Sequence, residues 1–182
     1  ASYYRMLTPW VLKNYAKAIV MDSDLIFAGD ISSLMQEDIS ENYLGAVEDV
    51  VYQGMLNDPK QDADQYAENE MKLEHPFNYV NTGVMLMNLE KIRMDFTVEY
   101  ILNYMEKHKM RIQEQDIINM LFQGKIKFID LKYNYYLMVH LGLVAMLDYA
   151  PADAVRRYKK KEKDAVILHW ANRPKPWDDF SD

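Results

Sequence analysis

The chain has 182 residues, 49% of them hydrophobic and 27% charged, a composition and length that support a folded domain with a sizeable core. A net charge of −7 argues against general nucleic-acid binding, where a basic surface is needed. There is no cysteine, which excludes disulfides, thiolate metal sites and cysteine nucleophiles and fits a reducing cytoplasm, and no apolar run reaches the length of a membrane span.

Residues 2–14 place Tyr3, Met6, Leu7, Trp10 and Val11 at helical intervals, with Pro9 among them. This predicts a helix that kinks or stops and restarts at Pro9. Arg5 lies on it, either as a surface charge or as a donor to a phosphate or base. Next comes Ala18-Ile19-Val20-Met21-Asp22-Ser23-Asp24, a short branched apolar run that reads as a buried strand ending in two acids. A buried strand cannot hide two unpaired carboxylates. Asp22 and Asp24 are therefore expected at its carboxyl end, where ligands bind in open α/β sheets. Two hard oxygen donors suit a divalent cation, and a cation suits a phosphate-bearing substrate. The plain alternative is a strand-end turn with capping aspartates. Gly29 and Asp30 read as a turn, with Asp30 capping a short helix through Leu34.

Residues 42–47 read as another strand, ending in Glu48 and Asp49. From Gln53 to Pro76 the chain is polar and acidic, which predicts a long irregular, substrate-facing excursion with a short helix near residues 64–73. Residues 84–89 read as a buried strand preceded by Asn81 and Gly83. Gly83 permits either a positive φ or a close approach by another group. Asn81 either caps a turn or points at ligand. Residues 90–109 form an amphipathic helical region, with Phe96, Val98, Ile101, Leu102 and Met105 facing inward. Residues 113–122 form a further helix, with Glu114, Gln115 and Asp116 at its start and Gly124 as its stop. Residues 126–131 read as a strand.

The apolar segment 135–149 is either a buried helix or a flap, and residues 152–163 are a basic helix. Its cations Arg156, Arg157, Lys159, Lys160, Lys161 and Lys163 are read as a solvated face. A last strand, residues 165–168, leads into His169, repeating the strand-end geometry of Asp22 and Asp24. An oxygen-and-nitrogen donor set of this kind suits manganese better than calcium, with magnesium as the alternative. Lys175 follows in a proline-stiffened loop, placed to meet a phosphate as a point charge.

The order of these motifs resembles the family 8 glycosyltransferases, retaining enzymes of the GT-A fold, over nearly the whole chain. The likeness rests on Tyr4-Arg5-Met6-Leu7, Met21-Asp22-Ser23-Asp24, Gly29-Asp30-Ile31 and Leu44-Gly45-Ala46. It continues in Tyr79-Val80-Asn81-Thr82-Gly83-Val84, Glu114-Gln115-Asp116-Ile117-Ile118-Asn119 and His169 to Trp177. Lys175-Pro176-Trp177 falls at the family's spacing after the histidine, with Asn172 where a glycine is usual.

The resemblance implies an α/β GT-A domain over residues 1–182, a mixed sheet flanked by helices, with the family's first nucleotide-binding strand lying upstream of Ala1. It implies that Asp22, Asp24 and His169 hold manganese (or magnesium) at the diphosphate of a nucleotide sugar, and that Lys175 binds that diphosphate. Arg5 and Ser23 would contact the nucleoside or donor sugar, while Asp49, Asn81, Gly83 and Gln115 would line the donor-sugar and acceptor region. Gln115, preceded by the acid Glu114, is the nearest residue to a catalytic nucleophile.

The implied partners are a UDP-hexose, glucose or galactose, and a saccharide or glycolipid acceptor such as a lipopolysaccharide core. No transmembrane segment is implied, and the expected location is cytoplasmic, with peripheral docking on the membrane's inner face. Two rivals remain at this point: a truncated, non-catalytic domain of the same family, and a haloacid-dehalogenase-like phosphatase using Asp22 as nucleophile.

Overall fold

The computed structural model describes residues 2–137, 141–171, 175, 177 and 178. Asn172, Pro176 and Met138, each singled out in the sequence, lie outside the described residues. The chain opens with a 3-10 helix, Ser2–Leu7, and restarts as α1, Thr8–Val11, with Pro9 in its first turn, where a missing N–H costs nothing. Then follow β1 (Lys17–Met21), β2 (Leu25–Phe27), β3 (Leu44–Glu48), α2 (Val50–Asn57), α3 (Ala63–Asn69) and β4 (Val80–Asn88). The second half holds α4 (Leu89–Asp95), α5 (Val98–Lys107), α6 (Gln113–Leu121), β5 (Ile126–Phe128) and β6 (Tyr135–Tyr136). It ends with α7 (Leu141–Met146), α8 (Ala152–Lys160) and β7 (Ile167–His169).

Four strands form one sheet in the order β1-β4-β3-β5, and a smaller sheet has the order β2-β7-β6. In the larger sheet β4 runs antiparallel to both β1 and β3, while β3 and β5 are parallel. The carboxyl ends of β1 and β3 therefore share one sheet edge with the amino end of β4. Asp22, Asp49 and Asn81 meet there because of topology alone. Ala46 of β3 pairs with Met85, but the next residue, Val47, pairs with Asn81. Thr82, Gly83 and Val84 are thus a bulge without partners on β3. Leu44, Ala46, Met85 and Met87 pack on one side against Ile117, Ile118 and Phe122 of the α6 region. Val47, Val84 and Leu86 face Tyr133, Tyr135, Tyr158 and Ile167 on the other.

Several expectations require correction. β1 is half-buried and not fully buried, because it is an edge strand with β4 on one side only among the described residues. The stretch from Gln53 to Pro76 is irregular only in part: residues 53–57 belong to α2, and the short helix expected near residues 64–73 is α3, Ala63–Asn69. Asp49 Oδ1 accepts from Tyr52 N at 3.0 Å and caps α2, whose Val51, Tyr52 and Leu56 are buried, and Tyr52 stacks on Tyr79 with centroids 3.7 Å apart. The strand expected from residue 84 begins at Val80 and takes in both Asn81 and Gly83.

The helical region from residue 90 is two helices, since Phe96 is extended and Thr97 caps α5 by accepting from Tyr100 N. The break turns Leu102 outward, 46% exposed, while Ile101 is buried. The strand at residue 126 stops at Phe128, because Asp130 accepts from Lys132 N and folds residues 131–134 into a 3-10 turn. The apolar segment 135–149 supplies β6 and α7. His169 is the last residue of β7, at the expected strand end, although the strand begins at Ile167 and not at Ala165. Gly124 ends α6 with φ +75°, as its position predicts.

Candidate active site

The shared sheet edge opens into a cleft of about 740 Å³ lined by Asp22, Ser23, Asp24, Asp49, Asn81, Glu114, Gln115, His169 and Lys175 among others. Val51 and Met55 of α2, Tyr136 of β6 and Leu143 of α7 give it an apolar wall. Arg5 and Gly83 do not line it; they stand behind residues that do.

Asp22 and Asp24 follow β1 by one and three residues, and His169 is carried beside them because Leu25 of β2 pairs with His169 of β7. His169 Nε2 lies 3.6 Å from Asp22 Oδ2 and 3.5 Å from Asp24 Oδ1. One ligand atom from each of the three residues falls within 4.8 Å of the others. The second oxygen of each carboxylate is held by a cation. Arg5 Nη2 donates to Asp22 Oδ1, and Lys175 Nζ donates to Asp24 Oδ2 at 2.6 Å and to Trp170 O. Arg5 also reaches Thr82 O at 2.7 Å and Glu114 Oε1 at 3.5 Å.

The carboxylates are thus clamped from outside, with one oxygen each turned toward the imidazole. Burial alone pushes Asp24 up, but the Lys175 hydrogen bond, with the charges of His169 and Lys175, holds it below the ordinary value. Burial is the main effect on His169 and lowers it despite the two aspartates, favouring the neutral ring that a metal requires. Two carboxylate oxygens and one imidazole nitrogen directed at a common point fit a borderline-hard divalent cation.

Space for the histidine comes from Gly83. A Cβ there would sit 2.2 Å from His169 Cε1 and 2.5 Å from Nδ1. Of the two roles open to Gly83, the close approach is the one present; its φ is not in the left-handed region.

A hydrogen-bonded floor joins the remaining candidates. Gln115 Oε1 accepts from Thr82 N at 3.0 Å and from Thr82 Oγ1 at 3.3 Å, while its Nε2 donates to Asp49 Oδ2 at 3.2 Å. Asn81 Nδ2 donates to the same oxygen at 3.2 Å, and Asn81 Oδ1 accepts from Gly83 N at 2.9 Å. Burial pushes the Asp49 carboxyl up, offset in part by the Tyr52 amide, Asn81 and Gln115. Asp116 is fully buried and turned away, accepting from Tyr66 OH, Tyr79 OH and Ile112 N.

Sequence reasoning passed over Asn134, whose Oδ1 lies 2.9 Å from His169 Nδ1, and the backbone of Thr82. Asn134 follows the strand at residue 126 among Tyr133, Tyr135 and Tyr136, with no local pattern that marks it as a site residue.

The family model described as glycosyl transferase family 8 matches residues 1–181. A putative glycosyltransferase of Haemophilus influenzae is 32% identical over 137 residues, which is 74% of this chain and 39% of that protein. Lipopolysaccharide 1,2-glucosyltransferase of Escherichia coli is 23% identical over 186 residues, 98% of this chain and 50% of that protein. The chain therefore spans half or less of the length of these two relatives. Among solved structures, the bifunctional glycosyltransferase WbbM superimposes with a TM-score of 0.87 at 20% identity, covering 97% of this chain and 32% of that one. At that identity the likeness shows the fold, the GT-A arrangement of a mixed sheet flanked by helices.

Proposed function

The chain belongs to glycosyltransferase family 8, and we propose that residues 1–182 act as one domain of a metal-dependent retaining hexosyltransferase that uses a UDP-hexose donor. The observation that carries the reading is the convergence of Asp22 Oδ2, Asp24 Oδ1 and His169 Nε2 on the wall of the cleft.

In this reading Asp22, Asp24 and His169 hold manganese or magnesium. A bound cation would neutralise charge developing on the diphosphate as it leaves the anomeric carbon. Arg5 keeps Asp22 in place. Lys175 moves from Asp24 to the diphosphate. Ser23, Asn81, Asp49, Glu114 and Gln115 position the hexose and the acceptor hydroxyl, while Val51, Met55 and Leu143 exclude water from one side.

The Gln115 carbonyl is occupied by Thr82 N and Oγ1, and the neighbouring Asp116 by three donors. That favours same-face substitution over a covalent intermediate on either residue. The bond from anomeric carbon to phosphate oxygen breaks, the acceptor oxygen bonds to that carbon on the same face, and its proton passes to the leaving phosphate. Relatives such as the E. coli lipopolysaccharide glucosyltransferase support a saccharide or glycolipid acceptor and glucose or galactose as the hexose. The family match over residues 1–181 supports this reading over the phosphatase alternative.

Calorimetric titration of UDP with and without Mn²⁺, on this chain and on Asp24→Ala, tests the reading. Metal-dependent binding that the variant loses is expected. Equal binding by both proteins, or binding indifferent to metal, would refute it.

A further inference from the structure

The chemistry of His169 depends on which ring nitrogen carries its proton, and the hydrogen-bond partners decide this. Gly83 N–H is a backbone group that can only donate. It lies 2.9 Å from one side-chain atom of Asn81, which must therefore be the carbonyl oxygen. The other Asn81 atom is then the amide nitrogen, and it faces Asp49 Oδ2 at 3.2 Å, as a donor should.

The Asn81 oxygen also lies 2.9 Å from the side chain of Asn134, so Asn134 presents Nδ2 there. Asn134 Oδ1 is then turned to His169 Nδ1, 2.9 Å away. An oxygen at that distance requires a donor, so Nδ1 bears the hydrogen. A neutral imidazole has only one, which leaves Nε2 with its bare lone pair directed at Asp22 Oδ2 and Asp24 Oδ1.

The opposite tautomer fails in this setting. With the hydrogen on Nε2, the Nδ1 lone pair would oppose Asn134 Oδ1. Flipping the Asn134 amide would oppose its oxygen to that of Asn81. Flipping Asn81 as well would turn its nitrogen onto Gly83 N–H and its oxygen onto Asp49. Each correction moves the mismatch one step along until it meets a backbone amide that cannot change. His169, Asn134 and Asn81 are all buried, so water cannot relieve the mismatch cheaply.

Taking the metal reading above as the premise, we propose that Asn134 is a positioning residue. Anchored through Asn81 to the Gly83 backbone amide, it holds His169 in the Nδ1–H tautomer and keeps Nε2 bare for a divalent cation. Removing a partner of this kind typically lowers metal affinity about 10- to 100-fold.

The test is long-range ¹H–¹⁵N correlation of the histidine rings in metal-free, ¹⁵N-labelled protein at alkaline pH, with His169 assigned from the signals lost in His169→Gln. The wild type is expected to show the Nδ1–H pattern. Asn134→Ala is expected to shift toward Nε2–H and to raise the Mn²⁺ dissociation constant about 10- to 100-fold. Asn134→Asp keeps an oxygen against Nδ1 but sets its other oxygen against Asn81 Oδ1, so it is expected to retain the Nδ1–H pattern at a cost in stability. A wild-type ring protonated on Nε2 overturns the proposal, as does an Asn134→Ala protein with wild-type tautomer and wild-type Mn²⁺ affinity. If Asn134→Ala fails to fold, the wild-type and Asn134→Asp spectra decide. A wild type with the Nδ1–H pattern that binds no Mn²⁺ would instead reject the metal reading and leave the tautomer assignment standing.

Discussion

Gly83→Ala isolates the close approach on which the site depends. The added methyl would lie 2.2 Å from His169 Cε1, more than 1 Å short of ordinary contact, and 3.0 Å from Asn81 Oδ1. His169 cannot simply step aside. Asn134 holds one edge of its ring at 2.9 Å, Tyr136 packs against it with centroids 5.2 Å apart, and the residue is 97% buried within β7. Overpacking of this kind costs about 1–3 kcal/mol. For a chain of this size that lowers the melting temperature by about 2–4 °C per kcal/mol. The displaced ring also takes Nε2 off the aspartates, so Mn²⁺ affinity should fall by about tenfold or more, a further 1.4 kcal/mol or so in binding.

Gly45→Ala is the control. Its methyl would sit 2.9 Å from Ile129 Cγ2 and 3.3 Å from Ile39 Cγ2, in the core and away from the cleft. It should lose stability but keep metal affinity. Thermal unfolding followed by circular dichroism, with calorimetric Mn²⁺ titration, reads both quantities. A Gly83→Ala protein that melts and binds Mn²⁺ as the wild type does would refute the argument, because a bulk clash at this distance leaves no neutral outcome.

Lys175→Met should weaken UDP binding at saturating Mn²⁺ by about tenfold or more while changing Mn²⁺ affinity less, since the ammonium is proposed to transfer to phosphate; an unchanged UDP dissociation constant would contradict that role. Asp116→Ala leaves Tyr66 OH, Tyr79 OH and Ile112 N without their acceptor in a fully buried place. Each orphaned donor costs about 1–3 kcal/mol, so urea unfolding should show a loss of at least about 3 kcal/mol, and a loss below about 1 kcal/mol would sink the argument. Asp130 carries a pH dependence. Burial raises its carboxyl, but the Lys132 amide and Lys161, whose Nζ is 2.7 Å away, outweigh it and lower the value below the unfolded 3.8. Its contribution is therefore present above 3.8 and is lost as pH falls through the depressed folded value. Asp130→Asn should be less stable than wild type at neutral pH, with the gap closing as pH falls below 3.8 and through the depressed folded value; a gap constant across that range would show that charge is not the cause.

The parts of the site visible in the sequence were those with a one-dimensional signature. Asp22 and Asp24 betrayed themselves because an apolar strand cannot absorb two acids, and His169 because it ends a second apolar run. Their meeting depends on the antiparallel pairing of Leu25 with His169, which no local pattern announces. α2 was missed because its polar residues, Gln53 and Asn57, masked the apolar face of Val51, Tyr52 and Leu56. That face is buried by tertiary contacts: Leu56 and Tyr52 pack with Tyr66, Met71 and Tyr79. The helical region from residue 90 does not announce its break at Phe96, because an aromatic residue in helical phase looks the same whether it continues a helix or ends one. Asn134 was invisible as a site residue, because its importance lies in the orientation of an amide, fixed by partners far away in the chain.

The bulge in β4 connects these pieces. A regular strand would pair Thr82 and Gly83 with β3, whereas the register jump from Met85 to Asn81 leaves both without partners there. Three of their four backbone polar groups go to side chains instead. Thr82 N–H orients the Gln115 amide, Thr82 O receives Arg5, and Gly83 N–H orients Asn81. Gly83 O accepts from Asp22 N at 2.8 Å, tying the first aspartate to the same turn. Two backbone amides thus set the direction of the Gln115 and Asn81 amides. Through Asn134 one of them sets the histidine, and through Arg5 the Thr82 carbonyl steadies an aspartate. Side-chain amides turn at little intrinsic cost, and backbone amides in a sheet do not. If a cation and a diphosphate come and go here, as proposed, a cleft whose donors and acceptors must stay fixed gains by being referenced to the backbone. A substitution that removed the bulge would therefore disorder the amide pattern of the whole floor, even with Asp22, Asp24 and His169 all present.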